Sequence, residues 1–439
     1  MRVKINESEL FRKLIKENFQ IKMNEMPRGI TIDSRLHQSG DVYLPINGDN
    51  FDGHDFISNV LDNNPSLVIS EKKLNIKFPI LNTQNNRQII HQIVAIWQKK
   101  MNSKIIGITG SNGKTTTKEL AYHVLSKSIK CFKTKENYNT VLSSPLSFLS
   151  AKHSQEISLI EMGTNQPGEI KSICDVMSPE IGLITNISNA HAENFNSNKD
   201  IAIEKGNLFK SLPENGIAII NNDDKYIREI KTKARETTYG FIGEVDFKGK
   251  IINQKNISVN NQIVELPISG YAMAQNVLAV FALASTLGLK NNEINSRISS
   301  FKLPNGRGNI LEIGELKIID DTYNANPVSM IAGLRRLSNK NAKRKIAILG
   351  DMLELGSYEE ESHIQIGEFL NKSNIDIILS VGDRMKLMHK KVEKNKTALW
   401  FKSNEGIINF IKDNRKDGDL IYLKGSRFMV MEKIIEGIK

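Results

Sequence analysis

The feature that most constrains this chain is an apolar run, Lys104–Thr109, that passes without a break into Gly110-Ser111-Asn112-Gly113-Lys114-Thr115-Thr116 and then into the helix-like TTTKELAYHVLSK. A strand, a glycine turn and a helix in immediate succession form the repeating half of a parallel α/β sheet, because parallel strands need a helix-sized crossover. Small residues in the turn let backbone N–H groups curl around phosphate oxygens, and the helix N-terminus adds a favourable dipole. Lys114 would neutralise the β- and γ-phosphates, and the Thr115 hydroxyl would ligate Mg²⁺. One departure stands out: the pattern G-x-x-x-x-G-K-[ST] asks for glycine at position 108, where this chain has isoleucine. The bland alternative is a Gly-Ser turn followed by a chance Lys-Thr, and the strand before and helix after weigh against it.

Further apolar runs at Ile157–Ile160, Ile181–Ile187 and Gly216–Ile220 alternate with amphipathic segments, as in a parallel sheet covered by helices on both faces. A second set, Leu316–Ile319, Lys345–Leu349, Ile375–Val381 and Leu420–Leu423, follows the punctuation Leu303-Pro304-Asn305-Gly306. Each of these ends in a polar or glycine-rich loop: DDTYNANP, GDMLELG, GDR and KGSR. Ligands of open α/β sheets sit at the carboxyl ends of strands, so this set reads as a second doubly wound domain with a ligand face. Before residue 100 the chain is turn-rich, with HQSGDVYLPINGDNFDGHDF, and closes on an expected helix near Gln88–Lys99. The expectation is an α/β protein of three domains, 1–100, 101–304 and 305–439, within the range of roughly two to four that 439 residues allow.

Composition narrows the function classes. The chain carries 60 Lys and Arg against 49 Asp and Glu, a net charge of +11, which invites a nucleic-acid reading. The excess is not clustered: 14 basic residues face 11 acidic ones in 1–100, 23 face 19 in 101–304, and 23 face 19 in 305–439. No basic tail and no interleaved aromatic platform occurs, so nucleic acid is not an expected partner. Two cysteines, Cys131 and Cys174, without a Cys/His cluster, exclude a disulfide framework or structural zinc and fit a reducing cytoplasm. The opening MRVKINESELFRKL lacks the apolar core of a secretion signal, and no run is long enough to cross a membrane.

Two residues extend the phosphate loop. Glu161 ends the run ISLI, where a carboxylate can reach a metal across the strand switch point. Taken alone, a strand-end glutamate is more often a cap. His191 follows GLITNIS in the turn NAHAEN; an isolated histidine is usually structural, but one beside a phosphate loop and a carboxylate is a plausible ligand.

TGSNGKTTT, EMGTNQPGEI, ITNISNAHAENF, IAIEKGNLF, DDTYNANPVSM, LGDMLELG and LKGSR occur in this order across 109–427, and Ile32-Asp33-Ser34-Arg35 with SGDVYLPINGDNFDGHDFI precedes them. Each is weak alone; in this order they resemble the Mur ligases over nearly the whole chain, most closely the branch that adds D-alanyl-D-alanine to a UDP-N-acetylmuramoyl-tripeptide. The resemblance implies a UDP-binding amino-terminal domain, a central ATP-binding domain and a Rossmann-like carboxy-terminal domain. It implies ATP, two Mg²⁺ ions, the UDP-tripeptide and D-Ala-D-Ala as the molecules bound. Ser34 and Arg35 match the segment holding the UDP end, and Gly110 through Thr116 match the ATP loop. Glu161 and His191, with Thr115, match Mg²⁺ ligands, and Lys205 falls where related ligases carry a carbamylated lysine on magnesium. Asn276, Arg307, Asp321, Tyr323, Asn324 and Asn326 match residues near the nucleotide. Asn137 and Asn139 match a substrate loop, while Lys424, Ser426 and Arg427 match a segment near the incoming peptide. A loop Asp320–Pro327 closing over nucleotide is expected, and a monomer is the default.

Three departures qualify the match. Gly270-Tyr271-Ala272-Met273-Ala274-Gln275-Asn276 has Ala272 where the family has histidine, Thr140 replaces an asparagine, and Ser143 replaces a glycine. The rival readings are a tripeptide-forming Mur ligase, which typically carries a D-N-P-R motif not found here, and a folylpolyglutamate synthase-like ligase, which lacks a segment like 30–57. From another class, a nucleic-acid-stimulated P-loop ATPase remains the alternative.

Overall fold

The computed structural model describes residues 1–48, 51–136, 138–188 and 194–439. Three mainly parallel sheets follow one another along the chain. In spatial order the first runs Arg2–Lys4, Gly29–Thr31, Asp41–Tyr43, Leu67–Ser70 and Ile80–Asn82, with only its first pair antiparallel. The second has nine strands: Gln262–Glu265, Asn256–Val259, Phe247–Ile251, Arg235–Gly240, Ile217–Asn221, Ile181–Ile184, Lys104–Thr109, Ile157–Glu161 and Cys131–Lys133. Two pairs at its 247–265 end are antiparallel, and the rest are parallel. The third runs Asn309–Ile313, Leu316–Asp320, Asp419–Lys424, Arg344–Gly350, Ile377–Val381 and Thr397–Phe401, parallel after its first hairpin.

Local chemistry accounts for the central elements. Every residue of Lys104–Thr109 after the lysine is buried, the pattern of a strand covered on both faces. The expected strand Ile181–Ile187 stops at Ile184 because the next residues turn toward the phosphate loop: the Ser111 N–H donates to the Asn186 carbonyl at 2.8 Å and the Thr185 hydroxyl to the Asn112 carbonyl at 2.6 Å. The expected helix is present as Asn86–Met101, capped by the Asn85 side chain on the Gln88 N–H and ended by Asn102 at φ 49°.

The hydrophobic cores divide the molecule unequally. One cluster runs from Val3 and Phe11 through Ile90, Ile93 and Trp97 to Phe148, Ile173 and Leu208, so the first sheet and one face of the second share a core. Helix Asn86–Met101 joins them, with the fully buried Trp97 donating its indole N–H to the Phe148 carbonyl at 3.2 Å. The third sheet instead has clusters of its own on its two faces, built from Leu316 onward. Polar contacts tie it to the central sheet, Arg307 to Thr115, Asn326 to Asn112 and Tyr358 to Asn196, and interfaces of that kind make relative motion cheap.

One close approach sets the ligand face of the third sheet. Gly333, on helix Pro327–Ser338, lies against the Tyr422 ring, and any Cβ would overlap the phenol. Gly333→Ala is expected to cost roughly 1–3 kcal/mol by overpacking and to shift Tyr422, whose hydroxyl donates to Asp321 at 2.9 Å. Thermal unfolding of the variant checks this.

Candidate functional site

The site opens at the carboxyl end of Lys104–Thr109, where the chain turns to Ile157–Glu161 on one side and Ile181–Ile184 on the other. Such a switch point leaves a crevice above the sheet. Ile108 explains the irregular motif: it is fully buried and in register with Glu161 and Leu183, so it belongs to the strand and the loop begins at Gly110. Gly113 caps the following helix, Lys114–Leu125, at φ 81°, and a Cβ there would stand 2.7 Å from the Asn276 Oδ1. Only glycine satisfies both conditions, and Asn276 is thereby placed directly against the loop. The Lys114 ammonium donates to the loop carbonyls of Gly110 at 2.7 Å and Ser111 at 3.3 Å. Burial lowers its pKa, with Glu161 opposing and Arg307 reinforcing the shift.

Glu161 is 1% exposed and lies at the foot of the loop. Its Oε1 accepts from the Thr115 hydroxyl at 3.0 Å and from the Asn139 amide at 2.9 Å. Its Oε2 forms an ion pair with Lys118 at 3.2 Å, outside hydrogen-bonding geometry. Lys205, 1% exposed on helix Asn198–Lys210, has a buried ammonium nitrogen with no hydrogen-bond partner. Burial, together with Lys114, drives its pKa far down, while Glu204 opposes. Thr115 and Glu161 supply the hard oxygen donors that magnesium prefers. An unmodified Lys205 ammonium does not fit such a site; the orphaned nitrogen, if carbamylated, would add further oxygens to the set.

The third sheet supplies the opposite wall. The Arg307 guanidinium stacks 3.7 Å over the Tyr323 ring and donates to the Thr115 hydroxyl at 3.2 Å. Asn326 caps helix Pro327–Ser338 and donates across the junction to the Asn112 Oδ1 at 2.6 Å. The Tyr358 hydroxyl adds a bond to the Asn196 carbonyl at 3.2 Å.

Behind this wall, Lys424 pairs with Asp321 at 2.7 Å and is 3% exposed, so its charge is already met within the third sheet. Ser426 accepts from the Leu353 N–H at 2.8 Å, and Asn324 accepts from the Arg427 N–H at 3.2 Å. Three strand-end loops are thus laced into one surface. Ser34 and Arg35 have local partners instead, Arg35 forking on Asp33 at 2.9 and 2.8 Å with its side chain 86% exposed. Asn137 and His191 lie outside the described residues.

The departures resolve partly. Thr140 and Ser143 bond each other reciprocally, hydroxyl to hydroxyl at 2.8 Å and each backbone N–H to the other's hydroxyl at 3.1 Å, so the two replacements close one turn together. Ala272 is simply exposed. Sequence reasoning missed Lys118, Asn186 and Asp224. The Asp224 carboxylate accepts from the Ile187 N–H at 2.7 Å and fixes the 185–188 turn. The one available signal was Lys118 itself, a charge one helical turn after Lys114 on a buried face.

A phosphate loop at a strand switch point, faced by a second α/β sheet, defines a phosphate-binding α/β protein. Three family models match the chain: the Mur ligase family catalytic domain over 27–109, the Mur ligase middle domain over 108–284, and the Mur ligase glutamate ligase domain over 306–427. A Rickettsia prowazekii protein named UDP-N-acetylmuramoyl-tripeptide–D-alanyl-D-alanine ligase is 30% identical over 424 residues, covering 93% of this chain and 94% of that protein. The crystal structure of MurF from Acinetobacter baumannii superposes with a TM-score of 0.88 at 27% identity over 97% of this chain and 98% of that one. MurF from Thermotoga maritima in complex with ADP gives 0.83 at 28% identity over 93% and 96%. The chain belongs to the Mur ligase family.

Proposed function

We propose that this chain joins D-alanyl-D-alanine to UDP-N-acetylmuramoyl-tripeptide at the expense of ATP, in the cytoplasm and as a monomer, giving the pentapeptide precursor of peptidoglycan. The observation that carries the reading is the phosphate loop whose Thr115 is shared between Glu161 below and Arg307 from the third sheet. That arrangement offers ATP a site between two blocks, with the names of the relatives supplying the substrates.

An amine does not displace hydroxide from a carboxylate in water, so the carboxylate must first be activated. Its oxygen attacks the γ-phosphorus of ATP, giving an acyl phosphate and ADP. The free amine of the dipeptide then attacks the acyl carbon, and phosphate leaves with the original carboxylate oxygen. No nucleophilic side chain is required, and catalysis is positioning and charge neutralisation. Lys114 exchanges the Gly110 and Ser111 carbonyls for phosphate oxygens. Arg307, stacked on Tyr323, adds charge from the facing block. Mg²⁺, held by Thr115, Glu161 and a carbamylated Lys205 and, from outside the described residues, by His191, would screen the repulsion between carboxylate and triphosphate.

Ser34 and Arg35 on residues 1–100 hold the UDP end; residues 101–304 hold ATP through Gly110–Thr116 and Asn276, and the substrate through Asn137 and Asn139. Residues 305–439 close over both through Arg307, Asp321, Tyr323, Asn324 and Asn326, and receive the dipeptide near Lys424, Ser426 and Arg427. Closure excludes water from an acyl phosphate that would otherwise hydrolyse.

The test is product mass: incubation with ATP, Mg²⁺, UDP-tripeptide and D-Ala-D-Ala yields the tripeptide nucleotide plus the dipeptide less one water. ADP release stimulated only by DNA or RNA would replace this reading with that of a nucleic-acid-dependent ATPase. For Lys205, ¹³CO₂ is expected to give a carbamate signal that Lys205→Ala abolishes together with Mg²⁺-dependent turnover. Full Mg²⁺-dependent turnover in Lys205→Ala contradicts the modification.

A further inference from the structure

Lys118 is fully buried and sits one turn beyond the phosphate-loop lysine. Its ammonium donates to the carbonyls of Thr134 and Glu136, each at 2.8 Å, and lies 3.2 Å from the Glu161 Oε2 and 3.4 Å from the Glu119 Oε1. The two carbonyls belong to the segment leaving Cys131–Lys133, the edge strand of the second sheet. There the ladder has ended, and the chain turns through Glu136 at φ 47°. The Thr134 carbonyl, buried just past the strand end, needs a donor; Lys118 supplies it and reaches the Glu136 carbonyl in the turn as well.

The same segment is tied to Glu161 twice more. The Glu161 N–H donates to the Thr134 hydroxyl at 3.0 Å, and the Asn139 amide donates to the Glu161 Oε1 at 2.9 Å. Asn139 is held from behind as well, its carbonyl accepting from the Gly163 N–H at 2.7 Å.

We propose that Lys118 is a positioning residue that locks Thr134, Glu136 and Asn139 to Glu161, so that these residues of the substrate loop and the carboxylate beneath the phosphate loop are set as one rigid unit. Removing its charge frees the two carbonyls and lets the loop leave Glu161. Lys114, held by the loop carbonyls above, keeps its place. The lock therefore acts on the substrate side of the site more than on the phosphate side. Assigning the loop to the UDP-tripeptide rests on the functional reading above; the lock itself rests only on geometry.

Two measurements on Lys118→Met test it. Hydrogen exchange of the free protein is expected to accelerate at least 10-fold at amides 134–136, 138 and 139, the scale of losing charge-assisted hydrogen bonds, while the Lys104–Thr109 strand keeps its protection. Affinity for UDP-tripeptide, measured without ATP or Mg²⁺, is expected to fall about 10-fold, with ADP affinity within about 2-fold. Because losing Lys118 leaves the buried Glu161 carboxylate without its cation, Lys118→Met/Glu161→Gln serves as the charge-neutral control and is expected to show the same loop exchange. Unchanged exchange at 134–136, 138 and 139 in both variants, or equal weakening of ADP and UDP-tripeptide, overturns the lock. Failure of the unaltered protein to bind UDP-tripeptide would contradict the functional reading, and the exchange arm would still decide the lock.

Discussion

Replacing Lys114 with methionine is expected to lower ATP-dependent turnover by about 1,000-fold, the scale seen when one preorganised donor to transition-state charge is removed. The structure makes this a clean test. Among the described residues Lys114 has no carboxylate partner at ion-pair distance; its ammonium bonds there to the Gly110 and Ser111 carbonyls. Those carbonyls can turn to water, so the stability change should stay within about 1 kcal/mol. Turnover falling while the melting transition holds would separate a phosphate contact from a structural one. A variant that retains turnover would remove the phosphate loop from the mechanism.

Glu161→Ala is expected to fail in both respects. Its carboxylate is the nearer and more deeply buried of the two anions facing Lys118, the other being Glu119, and it accepts from Thr115 and Asn139 besides. Breaking a buried pair by deleting one partner costs about 3–5 kcal/mol, so the variant should melt well below the parent. Glu161→Gln keeps the acceptor oxygen and the shape, and should lose less stability. Both should lose the Mg²⁺ dependence of turnover, since the charged donor beneath Thr115 is gone. Comparing the two by calorimetry and by Mg²⁺ titration divides structural loss from catalytic loss. Glu161→Gln with the parent's Mg²⁺ response would show that this carboxylate is not a metal ligand.

How much of this was legible beforehand depended on what each signal was made of. Strands buried on both faces announce themselves as apolar runs, and Lys104–Thr109, Leu316–Asp320 and Asp419–Lys424 were readable to within a residue. The antiparallel extension Phe247–Glu265 was not, because segments such as FKGKI and QIVE bury one residue each and carry no run. Ile181–Ile184 was read too long, because an apolar Ile187 beyond the strand end packs in the core while its backbone serves the 185–188 turn.

The site divides in the same way. The phosphate loop is a contiguous string and was visible; Ile108 looked like a flaw in the motif only because the string does not show where the strand ends. Lys118, Asn186 and Asp224 hold the loop through contacts that the fold alone creates. Their positions in the sequence carry little sign of it. The resemblance to a family supplied the roles of Arg307 and Asn326, and the structure brings both onto the loop, at Thr115 and Asn112.

In the proposed reaction the tripeptide carboxylate, and not water, attacks ATP. UDP-tripeptide labelled with oxygen-18 in its terminal carboxylate tests this directly. With ATP, Mg²⁺ and D-Ala-D-Ala, inorganic phosphate carrying one oxygen-18 atom is expected for each amide formed. Phosphate released without label, or released at the same rate when either substrate is omitted, would contradict it.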